Sequence, residues 1–327
     1  MRNLLTSLVR FFVLGAFLAA CAQPASDASD AGGAASDAGK PISADADQPK
    51  PADAAQAGAT GAGGAGGQGQ GGDAGSTGGG PGTGGAPDAA VTLPPANASF
   101  DYQIGGPYTP PSGVKVVSRD REAPIASGLY NICYVNGFQA QPQDESWWLS
   151  KHPQLVLKDA SGAPVKDTEW NELIFDTRTE SSRSQLVAIV GGWIEKCAQD
   201  GFDAVEIDNL DSYGRSKGLL TQEQNVAFMA LLSKKAHAHG LAAAQKNSTD
   251  LVGRRAQMGT DFAVAEECNR YDECDVYRNA YGDRVFVIEY RKADFDKGCK
   301  AHPGLSIVLR DLGVSPAGAA GYVFEGC

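Results

Sequence analysis

The sequence lacks an excess of basic residues, a glycine-rich phosphate loop between its predicted strands, and any pair of cysteines at CxxC spacing. Lys and Arg number 28 against 39 Asp and Glu, which gives a formal net charge of −11 at pH 7. Nucleic-acid-binding proteins carry basic surfaces, so this balance argues against a nucleic acid as partner. An acidic surface suits a cationic substrate instead.

Long apolar runs are also absent, apart from one near the first residue. The run from Phe11 to Ala20 is too short to span a bilayer as a mature helix, and Arg2 and Arg10 flank its apolar stretches. We expect residues 1–21 to be a signal peptide. The segment ends in LAAC, which resembles a bacterial lipobox, so Cys21 is the expected lipidation site and mature N-terminus.

Aromatic residues are missing from residues 22–98, which consist almost wholly of Ala, Gly, Asp, Ser, Pro, Gln and Thr. Such a segment cannot bury enough apolar surface to offset its ordering entropy, so we predict a disordered linker. Its reach grows roughly as 5–6 Å times the square root of residue number. We therefore expect an exported protein, anchored to a membrane by lipid alone. Ala22, in place of Asp, permits sorting to the outer membrane or cell surface.

Residues 99–327 alternate short apolar runs with amphipathic segments, which is typical of strands that alternate with helices in one domain. Helices are predicted from Ser182 to Gln199 and from Thr221 to His239, the second with a capping box at its start. Predicted strands are VKVVS at Val114, YNICYV at Tyr130, ELIFD at Glu172, AVEIDN at Ala204, LAAAQKN at Leu241, FAVAEE at Phe262, VFVIEY at Val285 and LSIVLRD at Leu305. Two further strand-like runs are LVLKD at Leu155 and GYVFE at Gly321.

Alternating strands and helices imply a parallel sheet, which is either open or closed into a barrel. About eight strands without a phosphate loop favour an α/β fold of the TIM (β/α)8-barrel type over an open doubly wound sheet.

Most of the predicted strands begin with apolar residues and end in polar ones. Parallel strands of a barrel all point the same way, so these ends should meet at one rim, where barrel active sites form. The polar ends are Asp176; Asp208 and Asn209; Lys246 and Asn247; Glu266 and Glu267; Glu289; and Arg310 and Asp311.

Hydrolysis of a glycosidic bond needs one protonated and one ionised carboxyl group, and Asp208 and Glu266 are the predicted catalytic pair. Both follow buried strand runs, where desolvation and mutual repulsion can separate their pKa values. Glu266 has the longer side chain and is the expected acid, which leaves Asp208 as nucleophile or base. The sequence does not choose between retention and inversion of the anomeric centre. No cofactor is expected.

Several of these residues have a second interpretation. Asp208, Asn209 and Asp211 form an oxygen-rich cluster that could bind calcium, but the remaining EF-hand positions are absent, so no metal is expected. Glu266 or Glu267 could simply form a rim salt bridge with Lys246 or Arg270. Lys246 could also pair with the carboxylates and keep one of them ionised.

The remaining candidates are side chains that could line a sugar-binding cleft. His237 and His239 lie near a helix end, where capping is favoured over metal binding. Trp147, Trp148 and Tyr213 could stack on sugar rings or simply pack. The predicted substrate-binding residues are Tyr134, Trp170, Glu172, Asp176, Asn209, Asp211, Lys246, Asn247, Glu267, Glu289 and Tyr290.

Six cysteines fall within the folded block, and an even number in an exported domain points to disulfides rather than zinc. Six cysteines allow fifteen connectivities, and the sequence does not select one. Cys268 with Cys274 is the favoured local pair, because the short NRYDE loop can bring the two sulfurs together.

Five strings resemble signature segments of glycoside hydrolase family 114, the endo-α-1,4-polygalactosaminidases, and they follow the family's order: ICYVNGFQ, GFDAVEIDNLDSY, GLAAAQKN, FAVAEEC followed by YDEC, and VFVIEY. The resemblance runs from about Val114 to Cys327. It implies a TIM barrel that acts on α-1,4-linked galactosamine polymers of an exopolysaccharide. The family's acidic pair corresponds to Asp208 and Glu266, and its WxxE-type segment is similar to Trp170-Asn171-Glu172.

Two segments depart from the family pattern, GFQ at Gly137 and the first predicted strand, VKVVSRDRE. Both could alter the rim that faces substrate, so the fold is expected to follow the family more closely than the linkage and the sugar do. We expect a monomer that cleaves a cationic amino-sugar polysaccharide. The alternatives are an inactive polysaccharide-binding barrel at the cell surface and a hydrolase of another α-glycoside.

Overall fold

The computed structural model describes residues 91–327. The predicted signal peptide, Cys21 and residues 22–90 of the predicted linker lie outside the described residues, and their assignments stay predictions. Residues 91–98 run along the barrel: the Tyr130 hydroxyl donates to the Thr92 carbonyl at 2.7 Å, and Ala98 is buried.

The described residues contain twelve strands and seven α-helices. The strands are β1 Phe100–Gln103, β2 Val116–Asp120, β3 Tyr130–Asn136, β4 Gln139–Ala140, β5 Lys166–Asp167, β6 Glu172–Ile174, β7 Ala204–Asp208, β8 Ala242–Lys246, β9 Phe262–Glu266, β10 Val285–Glu289, β11 Ser306–Arg310 and β12 Phe324–Gly326. The helices are α1 Glu145–Lys151, α2 Glu180–Asp200, α3 Ser212–Arg215, α4 Gln222–Ala238, α5 Arg255–Met258, α6 Cys274–Tyr281 and α7 Lys292–Ala301. Short 3-10 helices span Pro142–Asp144 and Thr249–Arg254.

Eight parallel strands form a nearly closed barrel in the order β1, β2, β3, β7, β8, β9, β10, β11, and β12 joins β11 antiparallel at the seam. A buried ion pair links the first and last parallel strands, with Arg310 Nη1 3.2 Å from Asp101 Oδ1. The predicted TIM-barrel-type fold is confirmed. The connections from β1 to β2 and from β2 to β3 are loops, and helices cover the later strands.

Two of the predicted strand segments lie outside the barrel. The run at Glu172 forms β6, the centre of a small antiparallel sheet with β4 and β5, so Asp176 does not end a barrel strand. The run at Leu155 makes only isolated bridges, of which one joins Val156 to Phe175. The vacant barrel position is filled by β1, whose four residues FDYQ are all buried. β1 contains Asp101 and Gln103 among its four residues, so it does not form an apolar run and the sequence pattern does not predict it.

Alternation along the strands decides which side chains face the barrel interior. Side chains two residues apart share one face of a strand. On β7 the apolar interior residue Ala204 shares its face with Glu206 and Asp208, and on β8 Ala242 and Ala244 share theirs with Lys246. The lower interior is filled by Phe100, Val116, Ile132, Phe262 and Phe286. Polar groups therefore lie above an apolar floor.

Both long predicted helices are present as α2 and α4. The capping box of α4 is confirmed: the Thr221 hydroxyl accepts from the Gln224 N–H at 3.4 Å, and Gln224 Oε1 accepts from the Thr221 N–H at 2.9 Å. Within residues 91–327, none of the helices is both long and apolar enough to cross a membrane.

The six cysteines of the folded block form three disulfides, Cys133–Cys197, Cys268–Cys274 and Cys299–Cys327. The prediction of disulfides, including the Cys268–Cys274 pair, is confirmed. Cys133–Cys197 joins β3 to α2 across 64 residues, and Cys299–Cys327 joins α7 to the end of the described chain. Covalent links therefore hold the helical layer against the barrel.

Loss of the Cys133–Cys197 bond should destabilise the fold more than loss of the Cys268–Cys274 bond. Chain entropy assigns about 4 kcal/mol to a loop of 64 residues and about 2 kcal/mol to one of 6. Urea unfolding of the Cys133→Ala/Cys197→Ala and Cys268→Ala/Cys274→Ala variants measures both values. Equal losses would contradict the loop-length argument.

Candidate active site

The Lys246 ammonium is the centre of a buried polar cluster at the mouth of the barrel. Lys246 ends β8, and its Nζ lies 3.2 Å from Asp208 Oδ1 and 3.2 Å from Glu266 Oε2. The same nitrogen lies 3.1 Å from Glu206 Oε1 and 3.2 Å from the Tyr102 hydroxyl. Burial works to lower the pKa of Lys246, but the surrounding carboxylates outweigh it and raise the pKa well above its ordinary value.

Asp208 ends β7 and accepts hydrogen bonds from two sides. The Tyr134 hydroxyl of β3 donates to Asp208 Oδ2 at 2.7 Å. Burial works to raise the pKa of Asp208, but the Lys246 ammonium, the Tyr134 hydroxyl and the Asn209 backbone N–H together hold it below its ordinary value. Asp208 is therefore ionised at neutral pH.

Glu266 ends β9 and is clamped by Asn247, the residue that follows Lys246. The Asn247 side chain accepts from the Glu266 N–H at 2.8 Å and donates to Glu266 Oε2 at 3.1 Å. The Tyr290 hydroxyl bonds Glu266 Oε1. Burial, followed by the Glu266 charge, raises the pKa of Tyr290 well above its ordinary value, so its proton stays available for this bond. A phenol also accepts hydrogen bonds, so the contact suits Glu266 in either protonation state.

Exposure divides the cluster into an accessible and an inaccessible layer. The side chains of Asp208 and Glu266 are 18% and 27% exposed, whereas those of Lys246 and Glu206 are 2% and 0% exposed. A substrate at the mouth can therefore reach the two carboxyl groups but not the ammonium beneath them.

Glu206, Tyr102 and Ser118 complete the lower layer, and none of them was predicted from the sequence. Tyr102 donates to Glu206 Oε1 at 2.8 Å, and Ser118 donates to Glu206 Oε2 at 2.7 Å. Burial raises the pKa of Glu206. The signal was present in AVEID, because Glu206 is two residues before Asp208 and shares its face.

Three strands turn at the rim through the left-handed region. Asn209, Asn247 and Glu267 follow the last residues of β7, β8 and β9, and have φ values of 66°, 46° and 56°. Asn tolerates this conformation better than most residues, whereas Glu267 adopts it at a cost of about 1–3 kcal/mol. The turns direct the chain away from the rim directly after each functional side chain.

The small sheet places Glu172 beside the mouth. Asn136 at the end of β3 donates to Glu172 Oε2 at 2.9 Å, and Asn209 donates to the same oxygen at 3.3 Å. Burial raises the pKa of Glu172 to about 7, against the lowering effect of the Asn136 bond. Trp170, two residues earlier, is 56% exposed.

Arg215 occupies the cluster that the sequence analysis considered for calcium. It binds both oxygens of Asp211 at 2.7 and 2.8 Å and donates to Asn209 Oδ1 at 2.8 Å. Its Nε also lies 2.7 Å from Asp167 Oδ2. The guanidinium already neutralises these oxygens, so the arrangement does not support the calcium interpretation.

Several other predicted site residues lie in local structure away from the carboxyl pair. Glu267 pairs with Arg270 at 2.9 Å, as the alternative interpretation held. Asp176 pairs with Arg178 at 2.7 Å, and His237 Nε2 lies 2.8 Å from Asp261 Oδ2. His239 is the C-cap residue of α4, as expected.

Glu289 is fully buried behind the rim rather than open to it. Its Oε1 accepts from the backbone and side chain of Asn269 at 2.8 and 3.0 Å. Its Oε2 meets no donor among residues 91–327 and belongs to a group with the sulfurs of Cys268 and Cys274. Those sulfurs form a disulfide, which removes them as metal ligands.

The shared lysine also limits the distance between the two predicted catalytic groups. Two contacts of 3.2 Å to one nitrogen place Asp208 Oδ1 and Glu266 Oε2 at most about 6.4 Å apart. Retaining glycosidases hold their carboxyl groups roughly 5–5.5 Å apart, and inverting ones roughly 6.5–9.5 Å. The limit applies to the two lysine-bound oxygens alone, so it places both carboxyl groups at one site and is compatible with either range.

Comparisons with known proteins identify the family and similar folds. The model of glycoside-hydrolase family GH114 matches residues 82–327. The crystal structure of Aspergillus fumigatus Ega3 in complex with galactosamine superposes with a TM-score of 0.58 at 20% identity, over 73% of this chain and 99% of that one. A variant of the glycoside hydrolase domain of PelA from Pseudomonas aeruginosa gives 0.48 at 15% identity, over 68% and 97%. No curated protein sequence matches the chain.

Ionisation of Glu289 should destabilise the fold as pH rises. Burial raises its pKa to about 7 from an ordinary 4.5, so the folded state favours the protonated form, and stability is lost between those two values. The free energy of unfolding of Glu289→Gln, relative to that of the parent, should therefore rise by about 2–3 kcal/mol as the pH is raised from 5 to 8. Urea unfolding at both pH values measures this, with exposed Glu122→Gln as the control. If the difference in unfolding free energy between variant and parent is the same at both pH values, Glu289 does not titrate in this range.

Proposed function

The chain belongs to glycoside-hydrolase family GH114, and on that premise we propose that it hydrolyses α-1,4-linked galactosamine in an exopolysaccharide, with Asp208 and Glu266 as its catalytic carboxyl groups. The observation that carries the proposal is the pair itself. The two groups end alternate barrel strands, are open to the mouth, and lie within about 6.4 Å of each other at their lysine-bound oxygens. A glycosidic bond needs two carboxyl groups so arranged.

Asp208 is the proposed nucleophile. Its lowered pKa keeps it ionised, and Tyr134 and Lys246 orient its two oxygens from opposite sides. An ionised, oriented carboxylate at an accessible position suits attack on an anomeric carbon.

Glu266 is the proposed acid and then base. The Asn247 clamp fixes both its backbone and its side chain, and its exposure at the mouth allows contact with a leaving oxygen. Tyr290 can donate to the carboxylate or accept from the acid, so the bond persists when the proton leaves and returns.

The reaction then runs in two balanced steps. In the first, an Asp208 oxygen bonds to the anomeric carbon, the glycosidic bond breaks, and its electron pair takes the Glu266 proton. In the second, water attacks the same anomeric carbon, Glu266 takes a proton from that water, and the bond to Asp208 breaks so that Asp208 leaves as carboxylate. Two displacements restore the original anomeric configuration.

Galactosamine is the proposed sugar because the similar Ega3 structure holds galactosamine and because the mouth is acidic. Glu172 has no salt-bridge partner among the described residues, and its neighbours Asn136 and Asn209 are neutral amides. Arg215 acts on Glu172 only from a distance, and a substrate ammonium would supply a positive charge in direct contact. Exposed Trp170 offers a face on which a sugar ring can stack.

The proposed setting is outside the cell. Residues 1–21 would direct export, Cys21 would carry the lipid, and residues 22–98 would link it to the catalytic domain, residues 99–327. Disulfides agree with an oxidising compartment. The protein would act as a monomer on a polymer that is too large to enter the cell.

Asp208→Asn and Glu266→Gln should each lower kcat/KM on deacetylated α-1,4-galactosamine polymer by about 10³-fold or more, because each removes a group that forms or receives a bond. Oligosaccharide release by the full-length chain measures the effect. Asp200→Asn and Glu195→Gln make the same chemical changes on the surface of α2 and should leave release unchanged.

Equal release by the parent and both site variants would remove this pair from the reaction. Binding of polymer by the parent without any release would favour the inactive carbohydrate-binding barrel. Release only from another α-linked polymer would change the substrate but keep the mechanism.

The first-formed product should be the α-anomer, because the proposed double displacement at an α-linked sugar restores its original configuration. Proton NMR of the anomeric region during the first minutes of digestion distinguishes it from the β-anomer before mutarotation. Initial β-product would show inversion and remove the ester on Asp208 from the mechanism.

A further inference from the structure

Lys246 stands at equal distance from the two proposed catalytic groups. Its Nζ is 3.2 Å from Asp208 Oδ1 and 3.2 Å from Glu266 Oε2. It reaches them from β8, the strand between β7 and β9, and its side chain is 2% exposed. Buried in this way, it acts through the carboxyl groups and not by contact with a sugar.

Four oxygen atoms compete for this ammonium. Glu206 Oε1 at 3.1 Å and the Tyr102 hydroxyl at 3.2 Å lie on the inner side, and the two rim carboxyl groups lie on the outer side. An ammonium has only three N–H bonds. The two inner contacts hold the nitrogen in place, so one donor remains to be shared between Asp208 and Glu266.

The proposed reaction moves one negative charge between those same two groups. Before cleavage Asp208 is ionised and Glu266 carries its proton. After the first step Asp208 is a neutral ester, and Glu266 is ionised because its proton has gone to the leaving oxygen. The second step reverses both changes.

We propose that Lys246 is a positioning residue that serves as the shared counter-ion, facing the charge on Asp208 before bond cleavage and the charge on Glu266 after it. This rests on the proposed function of the carboxyl pair. The ammonium need not move, since each acceptor is already at bonding distance. Its outward donor therefore faces an ionised carboxyl group in both half-reactions, while Glu206 stays paired with it from below.

Glu206 is the proposed anchor of this counter-ion. It is fully buried, and it receives hydrogen bonds from Tyr102, Ser118 and Lys246 at 2.7 to 3.1 Å. These contacts fix the lysine from below. Glu206 is too deep for a substrate to reach, so its contribution to catalysis passes through Lys246.

Lys246→Met tests the proposal, because Met keeps much of the apolar side chain and removes the charge. Groups that face the ammonium are Glu206 and Asp208 from β7, Glu266 from β9, Tyr102 from β1, Tyr134 from β3 and Tyr290 after β10. A cation favours the ionised form of both rim carboxyl groups. Removal of the ammonium should shift both limbs of the kcat/KM pH profile to higher pH by about 1–3 pH units. The maximum value of kcat/KM should also fall.

The double variant Glu206→Gln/Lys246→Met removes both buried charges and keeps the test open if the single variant fails to fold. It should shift both limbs to higher pH by less than the single variant does, because loss of the Glu206 charge opposes the effect of losing the ammonium. Lys234→Met makes the same change on the exposed surface of α4, is the matched control for loss of a lysine charge, and should leave both limbs in place. A lower maximum with unmoved limbs in both lysine variants would overturn the proposal.

A second measurement separates this proposal from the proposed function. Carboxyl carbon NMR titration of the full-length chain follows Asp208 and Glu266 without any substrate, with Asp208→Asn and Glu266→Gln used for assignment. Upward movement of both midpoints in Lys246→Met supports the shared counter-ion, even if no polymer is cleaved. Unmoved midpoints overturn it, even if the parent is an active hydrolase.

Discussion

A buried ammonium can exist inside a barrel only where oxygen atoms surround it, because desolvation of an unpaired charge costs several kcal/mol. Lys246 meets that requirement with oxygens from β1, β7 and β9, each brought inward by strand alternation. The arrangement of the mouth follows from this constraint. Moving any of the three strands by one residue would turn its oxygen outward and leave the lysine under-compensated.

Much of the barrel could be predicted from the sequence, since β7 to β11 are short apolar runs separated by helical segments or loops. The failures have one physical cause. Run length and hydrophobicity describe a strand by itself and not its partner, so β6 was assigned to the barrel although it pairs only with β4 and β5. Conversely, β1 is buried yet polar, because Asp101 pairs with Arg310 and Tyr102 reaches Glu206. Those partners are more than one hundred residues away.

The carboxyl pair was predictable for a related reason: Asp208 and Glu266 end parallel strands, and parallel strands end on one rim. The tyrosines that bond these carboxyl groups and the Asn247 clamp could be located on the rim, but their contacts could not be assigned. Glu289 shows the limit of the pattern. It also ends a strand, but its side chain lies on the opposite face from that of Tyr290 and contacts Asn269 behind the rim. A residue at the end of a barrel strand lies near the rim, but the face of the strand that carries its side chain decides whether that side chain reaches the mouth.

The carboxyl pair and the proposed sugar-binding residues belong to different parts of the fold. Asp208, Lys246 and Glu266 belong to adjacent parallel strands, whose backbone hydrogen bonds fix their relative heights. Glu172 and Trp170 come from the small antiparallel sheet inserted between β3 and α2, which meets the rim through Asn136 and Asn209. Changes in the inserted sheet can therefore alter which sugar is held without displacing the carboxyl groups. The departure at Gly137-Phe138-Gln139 falls at this junction, so it should affect substrate choice before it affects the chemistry.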